Sequence, residues 1–400
     1  MTGKSGSILL PDAYRGREQA YVKHRLLEAY LEKLFLIVGM SAERLGIREL
    51  CYVDCFAGPW GDESDALEST SIAVSLRVLS RCRQALEDQG VKLWFRALYI
   101  ERDHKAFARL KRYLDEREKD GIDAESLEGD FIDLRPAIIE WASRDSFAFF
   151  FIDPTAWRPV SIRVLEPLLE RPLSEFLINF MYDFVNRTVS MPDYQRQIEV
   201  LLGEEPEVGH LHGTEREMAL LDIYRRNLKK SVPTETQSPA RSAYVRVLDP
   251  EKNRPKYHLV YLTSHPRGIV EFMAISEKLD LIQRRVRAAT QQRQRIAKTG
   301  MGELFGSDEH VRDEDGHASL EEVERYWIEQ LSEKPRRFGY AEFADMLEET
   351  DWFPGDFQRA LGNLIESGRV HNLDAAKKRR TKFLHPENKG ERLQLVKGRK

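Results

Sequence analysis

The chain has 400 residues, 42% hydrophobic and 32% charged, with a formal net charge of −4. That is enough apolar material for packed cores and too much for a disordered polymer, and the length suits two or three domains. The longest purely apolar run, Phe147 to Ile152, falls far short of the roughly 20 residues of a membrane helix, so no helical membrane span is expected.

The first residues show no secretory signal, and Cys51, Cys55 and Cys82 are too few for a disulfide framework. A soluble, cytoplasmic protein is expected. The charge is unevenly spread. From Glu366 to Lys400, 11 Lys/Arg stand against four Asp/Glu, a net +7, which leaves −11 on the first 365 residues. A basic end on an acidic body can hold a phosphate backbone without the whole chain being basic.

Residues 1–20 read as a leader. From His24 to Val38 the positions Leu26, Leu27, Tyr30, Leu31, Leu34, Phe35 and Val38 recur at helical spacing. The stretch 49–58 (ELCYVDCFAG) reads as a buried strand entering a Gly–Pro turn. A helix over 71–87, a strand over 93–101, a helix over 105–119 and a short strand over 124–131 follow. Then come a helix over 136–143 and strands over 147–154, 175–184 and 257–265. Apolar strands alternating with helices predict an α/β fold, a mostly parallel sheet covered on both faces.

This domain is expected to span 21–290, with an insertion over about 186–250. A polar linker is expected over 291–318. Residues 319–400 read as helix, turn, helix, strand and basic stretch. The second helix carries Phe357, Leu361, Leu364 and Ile365 on one face, Asp356 as its cap, and Gly368 as its stop. The pattern resembles a winged helix, which places its second helix in a groove and its wing on phosphates. Lys377, Lys378, Arg379, Arg380 and Lys382 fall at the wing and make DNA or RNA the expected partner. A small packing or dimerisation domain is the alternative.

In open α/β sheets the ligand sits at the carboxyl ends of the strands. Asp54 ends the first strand, ahead of Phe56 and Gly58, where small residues let the backbone approach a ligand; Asp54 could bind an amino-acid group or a water. Glu101 ends the second, where a carboxylate can accept both ribose hydroxyl protons. Asp130, with Phe131 beside it, follows Gly129 after the third and suits an adenine amino group. Asp153-Pro154 ends the fourth and faces the substrate side. Four acids at successive strand ends match a class I S-adenosylmethionine-dependent methyltransferase domain, with a Rossmann-like sheet and that cofactor.

The combination KHRLLEAYLEKLF, YVDCFAGPWG, LYIERD, LEGDF and FFFIDPTAW resembles the three-Cys-motif partner family over residues 20–280. The resemblance implies a methyltransferase-like fold and a companion protein of radical-enzyme type that carries the cysteine motif. Two departures stand out. The first loop reads Gly58-Pro59-Trp60-Gly61 in place of Gly-x-Gly, and its proline lacks a backbone donor. The fourth strand ends in Asp153-Pro154-Thr155-Ala156-Trp157 in place of Asp-Pro-Phe-Gly. Asp153 and the Pro154 carbonyl could still accept from an exocyclic amine, while Trp157 stacks on a base or packs in the core. Positioning alone would then drive transfer, with no metal. Three functions compete: methylation of an amino nitrogen on a nucleic-acid base; a non-catalytic partner that binds the cofactor or a nucleotide and presents nucleic acid to a companion enzyme; or a small-molecule or protein methyltransferase, which leaves the winged helix without a role beyond dimerisation.

Overall fold

The computed structural model describes residues 10–58, 67–117, 121–234, 238–249, 252, 254–299, 317–375 and 383–397. Its centre is the apolar run FAFFFI, strand β4 (Phe147–Ile152), buried along its whole length. Successive strand side chains point to opposite faces. Phe147, Phe149 and Phe151 therefore enter one core layer, and Ala148, Phe150 and Ile152 the other. Each fully buried phenylalanine contributes about 1.5–3 kcal/mol, so this single strand anchors both faces of the sheet.

Around it lie β1 (Glu49–Asp54), β2 (Trp94–Glu101), β3 (Asp123–Glu128), β5 (Ser174–Phe180), β6 (Arg241–Leu248) and β7 (Pro255–Thr263), in the order β3-β2-β1-β4-β5-β7-β6. β7 runs antiparallel to both its neighbours, and β1 to β5 run parallel. This is the expected α/β architecture, a mostly parallel, Rossmann-like sheet. The strand order reverses between β1 and β4, so their carboxyl ends open a crevice.

One face is covered by α1 (Glu18–Met40), α3 (Ser71–Asp88), α4 (His104–Asp115) and α10 (Pro266–Thr299), with the one-turn α2 (Ala42–Leu45) beyond α1. The other carries α5 (Phe131–Trp141), α6 (Ile162–Leu169), α7 (Tyr182–Thr188), α8 (Gln195–Leu202) and α9 (Gly213–Lys230).

Three sequence-based boundaries shift. The expected insertion over 186–250 ends in β6, an integral edge strand, because Ala243, Val245 and Val247 alternate into the core. The expected linker over 291–318 begins inside α10, which runs unbroken to Thr299; its Gln and Arg side chains are polar yet good helix formers. The leader is not loose throughout: Tyr14 is buried, and α1 starts at Glu18.

The C-terminal unit comprises α11 (Leu320–Gln330), β8 (Arg336–Phe338), α12 (Tyr340–Thr350), α13 (Pro354–Glu366), β9 (Val370–Asn372) and β10 (Glu391–Leu395), the strands forming an antiparallel sheet in the order β8-β10-β9. That is a winged helix. Trp327 fills its core, donating Nε1–H to the Phe357 carbonyl at 3.0 Å and meeting the Phe338 ring edge-on at 5.3 Å. Gly390 turns the chain into β10 at φ 66°, where a Cβ would strike the Phe338 and Gly339 backbone. Asp356 stands at the third position of α13, not before it, and its carboxylate accepts from the Phe353 N–H at 3.1 Å.

The two units are docked. Arg225, 5% exposed, reaches Asp351 at 3.0 Å and the Ser242 carbonyl at 2.6 Å. Lys229 meets Glu348 at 2.6 Å, and Arg241 pairs with Asp345.

Candidate functional site

A cavity of about 510 Å³ opens where the strand order reverses, within the roughly 300–1,000 Å³ typical of ligand sites. Its walls come from the ends of β1 to β4 and from the start of α1 with the residues just before it. Phe56, Gly58, Glu101, Asp130, Phe131, Asp153 and Pro154 all line it, so the structure gathers most of the strand-end set around one space.

Asp54 is the exception among the acids. It has no exposure and lies beneath the Cys55–Gly58 loop, where it accepts from the Phe56 N–H at 3.1 Å and the Tyr52 hydroxyl at 3.4 Å. Burial raises its pKa to about 6; hydrogen bonds from Ser71 and Phe56 pull the other way. Asp54 therefore shapes the loop from behind. Pro59, Trp60 and Gly61 lie outside the described residues.

Glu101, 6% exposed, accepts from the Asp103 N–H at 2.6 Å. Asp103 in turn caps α4 through the N–H groups of Lys105 and Ala106 at 3.0 and 2.9 Å. The turn after β2 is thus fixed, and the Glu101 carboxylate with it. Asp130 spends one oxygen on capping α5, at 2.9 Å from the Ile132 nitrogen, while its other oxygen lies 3.5 Å from the exposed Arg102. Gly129 precedes it at φ 148°, a conformation open to glycine, and donates to the Glu101 carbonyl at 3.0 Å. Phe131 is buried, its ring 5.2 Å from that of Phe56.

Asp153 is held on both oxygens. Lys23, from α1, makes an ion pair with Oδ2, and the Asn179 amide, at the end of β5, donates to Oδ1 at 2.8 Å. The Lys23 and Asp153 side chains are only 14% and 16% exposed, so water screens this pair weakly. Trp157 does not line the cavity; its ring stacks on Phe184 at 5.9 Å and 13°. Lys377, Lys378, Arg379, Arg380 and Lys382 lie outside the described residues.

Sequence reasoning missed the α1 wall, formed by Arg17, Gln19, Lys23 and His24. His24 is buried next to Tyr14, 3.1 Å from its hydroxyl, and burial holds its pKa well below the usual range, so it is neutral at pH 7. Arg17 donates to Ser69, and Lys256 to Gln19 at 2.7 Å. Cations thus stand on the α1 side and carboxylates at the ends of β2 and β3. Such a cavity suits a ligand with hydroxyl and amino donors at one end and an anionic group at the other.

A second cavity of about 370 Å³ lies at the opposite end of the sheet. Its buried carboxylate, Glu175, already accepts from Tyr30, Tyr261 and Thr263 at 3.1, 2.7 and 2.7 Å.

The model of the GMT-like wHTH domain family matches residues 288–377. No curated protein sequence matches the chain. Similar solved structures include the O-methyltransferase TomG from Streptomyces achromogenes in complex with S-adenosylmethionine, at TM-score 0.30 and 12% identity, over 64% of this chain and 92% of that one. A dimethyladenosine transferase from Plasmodium falciparum has TM-score 0.26 and 12% identity, over 83% and 96%. An O-methyltransferase from Bacillus cereus in complex with S-adenosylhomocysteine has 0.29 and 12%, over 57% and 80%.

Proposed function

We propose that the protein transfers a methyl group from S-adenosylmethionine to a nucleic-acid base. The observation that carries this reading is the single cavity bounded by Glu101, Asp130 and Asp153 at the carboxyl ends of β2, β3 and β4. The cofactor would supply an electrophilic methyl on a sulfonium. Glu101 would accept the ribose hydroxyls, Asp130 the adenine amine through the oxygen not spent on the cap, and the Phe56–Gly58 backbone would pass close to the amino-acid portion. Arg17, on the α1 wall, would face the carboxylate.

Asp153 and Pro154 would take the acceptor amine, with Lys23 and Asn179 fixing the carboxylate in place. No covalent nucleophile is required, because alignment of the amine lone pair with the methyl does most of the work. The basic wing run Lys377, Lys378, Arg379, Arg380 and Lys382 would contribute phosphate contacts.

The engagement of both Asp153 oxygens favours a second reading. A carboxylate already satisfied by Lys23 and Asn179 is a poor acceptor for a substrate, so the domain would bind the cofactor without turnover. It would then present nucleic acid to a companion protein, and a companion is what the three-Cys-motif partner resemblance implies. Tritiated methyl incorporation into DNA and RNA separates the two. The first reading expects transfer by the wild type that Asp153→Ala abolishes while cofactor binding is kept. Cofactor binding without transfer supports the second, and equal loss of both by Asp153→Ala contradicts the assigned roles.

A further inference from the structure

Helix α13 is the element that a winged helix ordinarily inserts into a groove, first turn foremost. Here that turn is covered by the protein itself. Pro354 is buried, and the Gly355 N–H donates to Glu277 of α10 at 3.1 Å. A methyl group on Gly355 would have to push the Glu277 carboxylate aside. Asp356 is 1% exposed, capped by His317 at 2.8 Å and Arg359 at 2.9 Å.

Further along, the exposed side chains of α13 are Arg359, Asn363 and Glu366. Arg359 is paired with Asp356, and Asn363 lies 3.4 Å from Glu324. The helix therefore presents one neutralised cation, one amide and one acid.

The strands differ. Arg337 on β8 stands directly across from Arg392 on β10, and like charges in facing positions repel. Asp374 lies 3.8 Å from the first and 2.7 Å from the second, one carboxylate between two guanidiniums that are 46% and 47% exposed. Lys389 is exposed beside them, with Glu387 as a nearby acid, while Arg336, one residue along β8, lies on the opposite face over the Phe338 ring at 5.0 Å. Backbone carbonyls hold Arg337, which donates to Lys389 at 3.1 Å and to Gly390 at 2.9 Å, and Arg392 donates to Asp374 at 2.7 Å. Fixed, exposed guanidiniums with surplus positive charge match the geometry of phosphate oxygens.

We propose that nucleic acid binds the strand face of the winged helix through Arg337, Lys389 and Arg392, and that α13 serves as the clasp to α10 and not as a groove reader. This rests on the reading above that nucleic acid is the substrate.

The test uses the full chain and two labelled probes, a 30-base-pair DNA duplex and an RNA single strand, titrated at several salt concentrations. The triple variant Arg337→Ala, Lys389→Ala, Arg392→Ala is expected to bind about tenfold or more weakly. Its duplex salt slope should fall by about 2–3, near 0.9 for each phosphate contact removed. The pair Arg359→Ala, Asn363→Ala should stay within twofold of wild type. Lysine at positions 337 and 392 should retain most of the affinity, and matched melting curves establish that the variants fold. Equal or greater loss from the α13 pair overturns the proposal, as does unchanged binding by the strand-face triple. A wild type that binds neither probe removes the nucleic-acid reading itself.

Discussion

Asp54 carries the clearest conflict between stability and placement. Its carboxyl has no exposure, and its pKa is raised to about 6 from 3.8. A raised acid binds more protons folded than unfolded between those values, so its contribution to stability falls as pH rises from about 4 to 6 and stays low above. Asp54→Asn keeps an acceptor for the Phe56 amide and removes the buried charge. Denaturant unfolding should show the variant more stable than wild type by about 1–3 kcal/mol at pH 7, the gain vanishing near pH 4. Equal stability at both pH values would contradict this account of Asp54. Lys23 shows what the sequence hid and how it could have been found. It shares a helix face with Leu26 and Leu27, both fully buried, so a lysine there is directed inward. An inward lysine needs a partner, and the one it finds, Asp153, is 130 residues away. Trp157 could not be placed from sequence, because its stacking partner Phe184 sits on another element.

At the scale of elements, strand ends were the most legible feature. β1, β2 and β4 are short, largely apolar runs that stop at an acid, and Asp54, Glu101 and Asp153 mark those stops directly. The turn after β3 depends on Gly129. Its φ of 148° disfavours a side chain, and an added Cβ would lie 3.1 Å from Leu134 Cδ1. Gly129→Ala should cost about 1–3 kcal/mol of stability. Because that turn also presents Asp130, the variant should bind S-adenosylmethionine more weakly than wild type; unaltered affinity would show that Asp130 is not part of the cofactor site. The α10 boundary was illegible for a physical reason. A long, polar, Gln/Arg-rich helix has the composition of a linker, and only its packing against α1 and α12 marks it as structural.

For the whole molecule, sheet order and the docking of the winged helix are long-range facts that no local pattern contains. β7 enters between β5 and β6 with its direction reversed, and Arg225, Lys229 and Arg241 join α9 and β6 to α12 and its C-terminal turn. Cavity and winged helix thus belong to one continuous body, so that on the proposed function phosphate affinity at one end would serve chemistry at the other. Calorimetric titration with S-adenosylmethionine decides whether the crevice between β1 and β4 holds that cofactor, as proposed. One site per chain is expected for the wild type, with an affinity lowered roughly 10- to 100-fold by Glu101→Ala, the loss of one or two hydrogen bonds to a charged acceptor. No heat of binding from the wild type, or binding that Glu101→Ala leaves unchanged, would contradict it.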